Sequence, residues 1–129
     1  MKNLFLLIVL VVITTTSCTK QVTTIQVFNK VSPQSSYNGI DGTMYNATLL
    51  MYKDDDVVGQ VELGNIRSGG GKSEIIEPED YVQKVRVMFK TSPTSSEWKF
   101  TVQYFVLIED DDNDIIINDQ TLITGSLKK

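Results

Sequence analysis

The sequence predicts a small all-β domain, two antiparallel sheets packed face to face. Three observations predict it. Apolar residues alternate with polar ones in short runs, the period of a half-buried strand. Clusters of Gly, Pro, Asn, Asp and Ser separate those runs at intervals of about 8–12 residues, the spacing of sandwich turns. After residue 18, no segment longer than about ten residues carries the i, i+3, i+4 apolar spacing of a surface helix.

The elements follow in order. Ile25, Val27 and Phe28 suggest a first strand, with Thr24 and Gln26 facing outward. Residues 32–42 (SPQSSYNGIDG) carry Pro33, Gly39 and Gly42, which preset a turn or accept positive φ, and read as loop. From Thr43 to Lys53, Tyr45, Ala47, Leu49 and Met51 share one face. The other holds Met44, Asn46, Thr48, Leu50 and Tyr52 and is also apolar in part, as a central strand would be. Asp54, Asp55 and Asp56 form a turn, and Val57, Gly59, Val61 and Leu63 alternate in the returning arm of a hairpin.

Residues 64–73 (GNIRSGGGKS) are loop. Gly71-Lys72-Ser73 invites comparison with a phosphate loop, but Ile66 stands where that motif places its first glycine and no helical pattern follows. A short strand covers Glu74 to Glu77 and stops at Pro78, which cannot donate to a ladder. Val85, Val87 and Phe89 alternate with Lys84, Arg86, Met88 and Lys90, and residues 91–97 form a Ser/Thr/Pro-rich loop. Trp98, Phe100, Val102, Tyr104, Val106 and Ile108 are six successive apolar residues on one face. They are the strongest strand signal in the chain and predict the centre of the core, with Phe105 and Leu107 on the opposite face. Residues 109–114 (EDDDND) read as an acidic turn, Ile115–Ile117 and Leu122–Ile123 as short strands, and 126–129 as a tail. Together these elements predict an immunoglobulin-like antiparallel β-sandwich of about seven or eight strands over 25–125.

The N-terminus is different in kind. Lys2 precedes an unbroken apolar run from Leu4 to Ile13, and Thr14 to Ser17 lead to Cys18, the one cysteine of the chain. Ten apolar residues are too few to cross a bilayer, which takes about 20, but have the size and flanks of a secretory signal peptide. A signal that ends on a lone cysteine resembles that of bacterial lipoproteins. Thr16 and Ser17 occupy the small positions, while Thr15 stands where leucine is usual. The resemblance implies a signal peptide over 1–17, acylation of Cys18 and a lipidated tether over 18–24. An ordinary cleaved signal with an incidental cysteine is the simpler alternative. The chain as a whole resembles the small lipoproteins of Bacteroidetes-type bacteria. Thr19 and Lys20 do not resemble the aspartate-bearing signal for inner-membrane retention, and the acidic surface-export stretch of such lipoproteins is missing. That implies the outer membrane, on its periplasmic rather than its surface face. Residues 47–73 (ATLLMYKDDDVVGQVELGNIRSGGGKS) further resemble the middle of FxLYD-type immunoglobulin-like envelope modules, which implies a fold but no activity.

Composition narrows the chemistry. Removing residues 1–17 leaves 112 of 129, a common size for one domain. The chain carries 12 Lys+Arg against 16 Asp+Glu, which argues against nucleic acid and against electrostatic attachment to anionic lipid. There is no histidine, so the commonest general base and zinc ligand is missing. An acylated Cys18 offers no thiol and no disulfide. No catalytic residue and no cofactor is assigned.

The polar clusters are the two acidic turns, Asp54, Asp55 and Asp56, then Asp110, Asp111, Asp112 and Asp114. Calcium needs six to eight converging oxygens, and strand-end loops can supply them. The simpler reading is solvated turns that deter edge pairing, since neither run matches a helix-loop-helix calcium motif. Tyr37 and Tyr81, in or beside loops, are candidates for sugar stacking, whereas Tyr45, Tyr104 and Trp98 read as core. The leading expectation is a non-catalytic lipid-anchored envelope protein that binds or scaffolds an envelope protein or glycan. A calcium- or glycan-binding module is the alternative, and a carboxylate-dependent hydrolase a distant third.

Overall fold

The computed structural model describes residues 22–33, 42–76 and 82–125. Within them the chain is all-β: β1 Thr23–Lys30, β2 Met44–Lys53, β3 Asp56–Ile66, β4 Gly71–Ile76, β5 Lys84–Lys90, β6 Lys99–Thr101, β7 Phe105–Val106, β8 Asp112–Asn118 and β9 Ile123–Thr124. A smaller sheet runs β4-β1-β8 and a larger one β3-β2-β5-β6-β9, with β7 also paired to β5. The two make a small β-sandwich. Its ladders are antiparallel except one, since β8 runs parallel to β1 from Thr24↔Asp112 to Lys30↔Asn118.

Alternation explains the core. Ile25 and Val27 of β1 and Ile115 and Ile117 of β8 point inward from the smaller sheet. Ala47, Leu49 and Met51 of β2 and Val85, Val87 and Phe89 of β5 meet them from the larger one. At about 25 cal/mol per Å² of apolar surface, this cluster is the main favourable term of the fold. β2 lies between β3 and β5, and its outward Thr48, Leu50 and Tyr52 are buried too, as its two-sided apolar pattern requires.

The hairpin forms at Tyr52↔Val57 and Lys53↔Asp56, leaving Asp54 and Asp55 as a two-residue turn. Asp54 takes a left-handed φ of 53°. β4 starts at Gly71, inside the stretch read as loop. The Phe28 ring lies over that glycine, so close that a Cβ there would stand 2.8 Å from its Cδ1.

The run from Trp98 to Ile108 departs most from expectation. It is not one long strand, and the face assigned to the core is the outer one. Phe100 pairs with Met88 and so shares its outward direction, while Thr101 turns inward and is fully buried. The Thr101 hydroxyl oxygen accepts the Val87 N–H at 3.1 Å. The chain then breaks pairing and returns as β7, where Val85↔Phe105 sets Phe105 inward and Lys84↔Val106 sets Val106 outward. Phe105 and Leu107 pack on the core, whereas Val106 is 77% and Ile108 62% exposed. A shift of one residue exchanges the faces of a strand, and here the register on β5 decided it.

Candidate functional site

The outer face of the larger sheet carries a cluster of cations and aromatic rings. β5 alternates strictly, so Val85, Val87 and Phe89 are buried and Lys84, Arg86, Met88 and Lys90 stand half-buried on the outside. Residues 102–104, released between β6 and β7, bring Tyr104 over that row. Lys84 Nζ and Arg86 Cζ each lie 4.2 Å from the Tyr104 ring centroid. The Tyr52 ring meets Tyr104 edge to face at 5.1 Å and 88°. Both geometries suit the negative face and positive edge of an aromatic ring.

Arg86 is held further by its Nη2, which donates to the Val102 carbonyl oxygen at 3.0 Å. Its Nε is buried without a hydrogen-bond partner. Lys84 Nζ reaches Asp55 Oδ1 at 3.5 Å, but that carboxylate is almost wholly exposed and the pair adds little to stability. At the other end of β5, Lys90 Nζ lies 4.8 Å from the Trp98 ring. The face thus presents cations seated on aromatic rings, with exposed aliphatic groups beside them. It can attract an anionic group.

The sequence-derived candidates are placed as follows. Cys18, Tyr37 and Tyr81 lie outside the described residues. Tyr104 is 37% exposed and Trp98 half-buried on the outer face, so the expectation that both are core is corrected. Tyr45 is half-buried. All seven aspartates of the two turns are exposed.

Those turns are brought to the same end of the sandwich. The Asp54 N–H donates to Gln83 Oε1 at 2.9 Å, and the Gln83 carbonyl accepts the Leu107 N–H at 2.9 Å. One residue on, Ile108 is gripped by buried Asn113, whose Oδ1 accepts the Ile108 N–H at 2.7 Å. Asn113 Nδ2 donates to the carbonyls of Ile108, Asp111 and Thr24 at 2.9, 3.1 and 3.3 Å. The second turn is therefore a clamp on β1, where Asp110 N–H also meets Thr23 Oγ1 at 2.9 Å. β8 begins at Asp112 and not after the acidic run. Sharing an end does not bring the carboxylates together: among the described residues no group of three or more His, Cys, Asp or Glu is placed to hold a metal.

Sequence reasoning missed the cationic-aromatic cluster. The Lys84, Arg86, Lys90 alternation was legible, but the position of Tyr104 depended on the break after Thr101. Comparison of the chain with protein-family models, with curated proteins and with solved structures finds no match.

Proposed function

We propose that the chain is a lipid-anchored, non-catalytic protein of the cell envelope, whose sandwich binds or scaffolds another envelope component at the periplasmic face of the outer membrane. The observation that carries this reading is the apolar run Leu4–Ile13 ending on Thr16-Ser17-Cys18, with no other cysteine in the chain. A single-domain acidic protein needs some such device to stay at a membrane. Each acyl methylene placed in lipid contributes about 0.8 kcal/mol, and two or more chains hold stably.

The geometry supports a domain borne close to its anchor. β1 starts at Thr23, five residues after Cys18. Five residues reach at most about 17 Å when fully extended. The end of the sandwich that faces the anchor is then the one with both acidic turns. Their charge opposes anionic headgroups within a Debye length of about 8 Å, which favours a domain held off the bilayer with its broad faces free.

Metabolic labelling with a fatty acid tests the anchor. The wild type incorporates label and Cys18→Ala does not. Equal labelling of both removes the basis of the proposal.

A further inference from the structure

We propose that the outer face of β5, between Tyr104 and Trp98, is a binding strip for a linear acidic polysaccharide. The inference deepens the reading of an envelope binding module by naming the ligand class and the surface.

Charge complementarity argues it first. The protein is acidic overall, 16 Asp+Glu against 12 Lys+Arg, yet three cations stand on one face of one seven-residue strand. Arg86 and Lys90 lie against rings rather than carboxylates, at 4.2 and 4.8 Å. Arg86 contacts a ring and a carbonyl oxygen, neither of which neutralises it. Cations placed this way keep their charge for something outside the chain.

Spacing argues the polymer. At about 3.4 Å per residue, Lys84 and Arg86 stand roughly 7 Å apart, and Arg86 and Lys90 roughly 14 Å. The strip is thus about 20 Å long and follows one strand, unlike a closed pocket for a small molecule. Charges this sparse match a chain with one carboxylate per sugar better than the dense phosphates of a nucleic acid. Tyr104 and Trp98, one at each end of the row, hold the cations on their ring faces and so fix the positions at which the carboxylates of such a chain would meet them. Exposed Val106 and Ile108 extend the platform beyond Tyr104.

Calorimetric titration of the purified full-length protein tests this, with polygalacturonate as probe and dextran and a single-stranded oligonucleotide as comparisons. Polygalacturonate is expected to bind and dextran not to. Affinity should fall as salt rises, since exposed charge pairs are screened. The Arg86→Gln/Lys90→Gln double variant should bind at least tenfold more weakly, and Lys72→Gln, exposed on β4, as the wild type does. Should the double variant fail to fold, Lys90→Gln alone must still weaken binding several-fold. No binding of polygalacturonate, binding unmoved by these substitutions, or equal binding of the oligonucleotide overturns the inference. Fatty-acid labelling is read separately, so a failed titration with labelling intact refutes the strip and leaves the anchor standing.

Discussion

Asn29 donates its side-chain N–H to the Ile66 carbonyl oxygen at 2.8 Å, and this bond joins the two sheets. Asn29 belongs to β1 in the smaller sheet and Ile66 closes β3 in the larger. The same Nδ2 donates to the Gly42 carbonyl at 2.7 Å, and Oδ1 accepts the Val31 N–H at 3.1 Å. One fully buried amide thereby satisfies three backbone groups where chain segments converge.

Asn29→Ala should therefore destabilise the domain by about 3 kcal/mol, because each buried partner left unsatisfied costs roughly 1–3 kcal/mol before relaxation. Asn29→Asp should be no milder, since an ionised carboxylate cannot donate to two carbonyls. Urea denaturation followed by tryptophan fluorescence measures both. A loss below about 0.5 kcal/mol, the range of neutral surface changes, would refute the stapling role.

The exchange of faces in the 98–108 run makes a paired prediction. Phe89→Ala, in the core, should cost about 3–5 kcal/mol. Val106→Ala, outward on β7, should stay within about 0.5 kcal/mol. A large loss at Val106 would restore the face first expected from the sequence.

Two glycines separate backbone strain from crowding. Gly42 and Gly64 have φ of 70° and 78°, where a side chain is strained. A Cβ on Gly64 meets nothing within 4 Å, so Gly64→Ala should cost about 1–2 kcal/mol, the left-handed penalty alone. On Gly42 the new atom would stand 3.0 Å from Pro33 Cα, so Gly42→Ala should cost more than Gly64→Ala. Thermal unfolding of the two variants ranks them, and the opposite order would contradict the packing of the 31–33 segment against Gly42.

The acidic turns should fold without metal. Their carboxylates point to solvent, and at physiological salt the Debye length is about 8 Å, so mutual repulsion is damped without a cation. The melting temperature is expected to be the same in millimolar calcium and in chelator. A ligand at a hundredfold over its Kd stabilises by about 2.7 kcal/mol, so a real site would be conspicuous. A rise of that size, abolished by Asp111→Asn or Asp55→Asn, would establish a calcium site.

Much of the architecture is legible in the sequence alone, because it depends on local chemistry. Period-two alternation marks β1, β2, β3 and β5 to within a few residues, since successive side chains of a strand point to opposite faces. Alternation on both sides of the polar run Asp54, Asp55 and Asp56 marks the hairpin, although Asp56 already pairs with Lys53 and the turn is two residues; β2's two-sided apolar pattern marks a central strand. Other features depended on contacts distant in sequence. The outward turn of Trp98, Phe100 and Tyr104 was settled by the Met88↔Phe100 register, because alternation gives the period of a strand but not which face meets the core. Asn29 and Asn113 look like ordinary polar residues until three backbone groups gather around the first amide and four around the second. The cationic-aromatic strip arises the same way. Lys84 and Arg86 are visible as an alternation, but Tyr104 reaches them only because β6 and β7 both pair with β5 and carry residues 102–104 across its outer face. Alternation is inherited from the geometry of one strand, whereas register and facing are chosen by the partner strand.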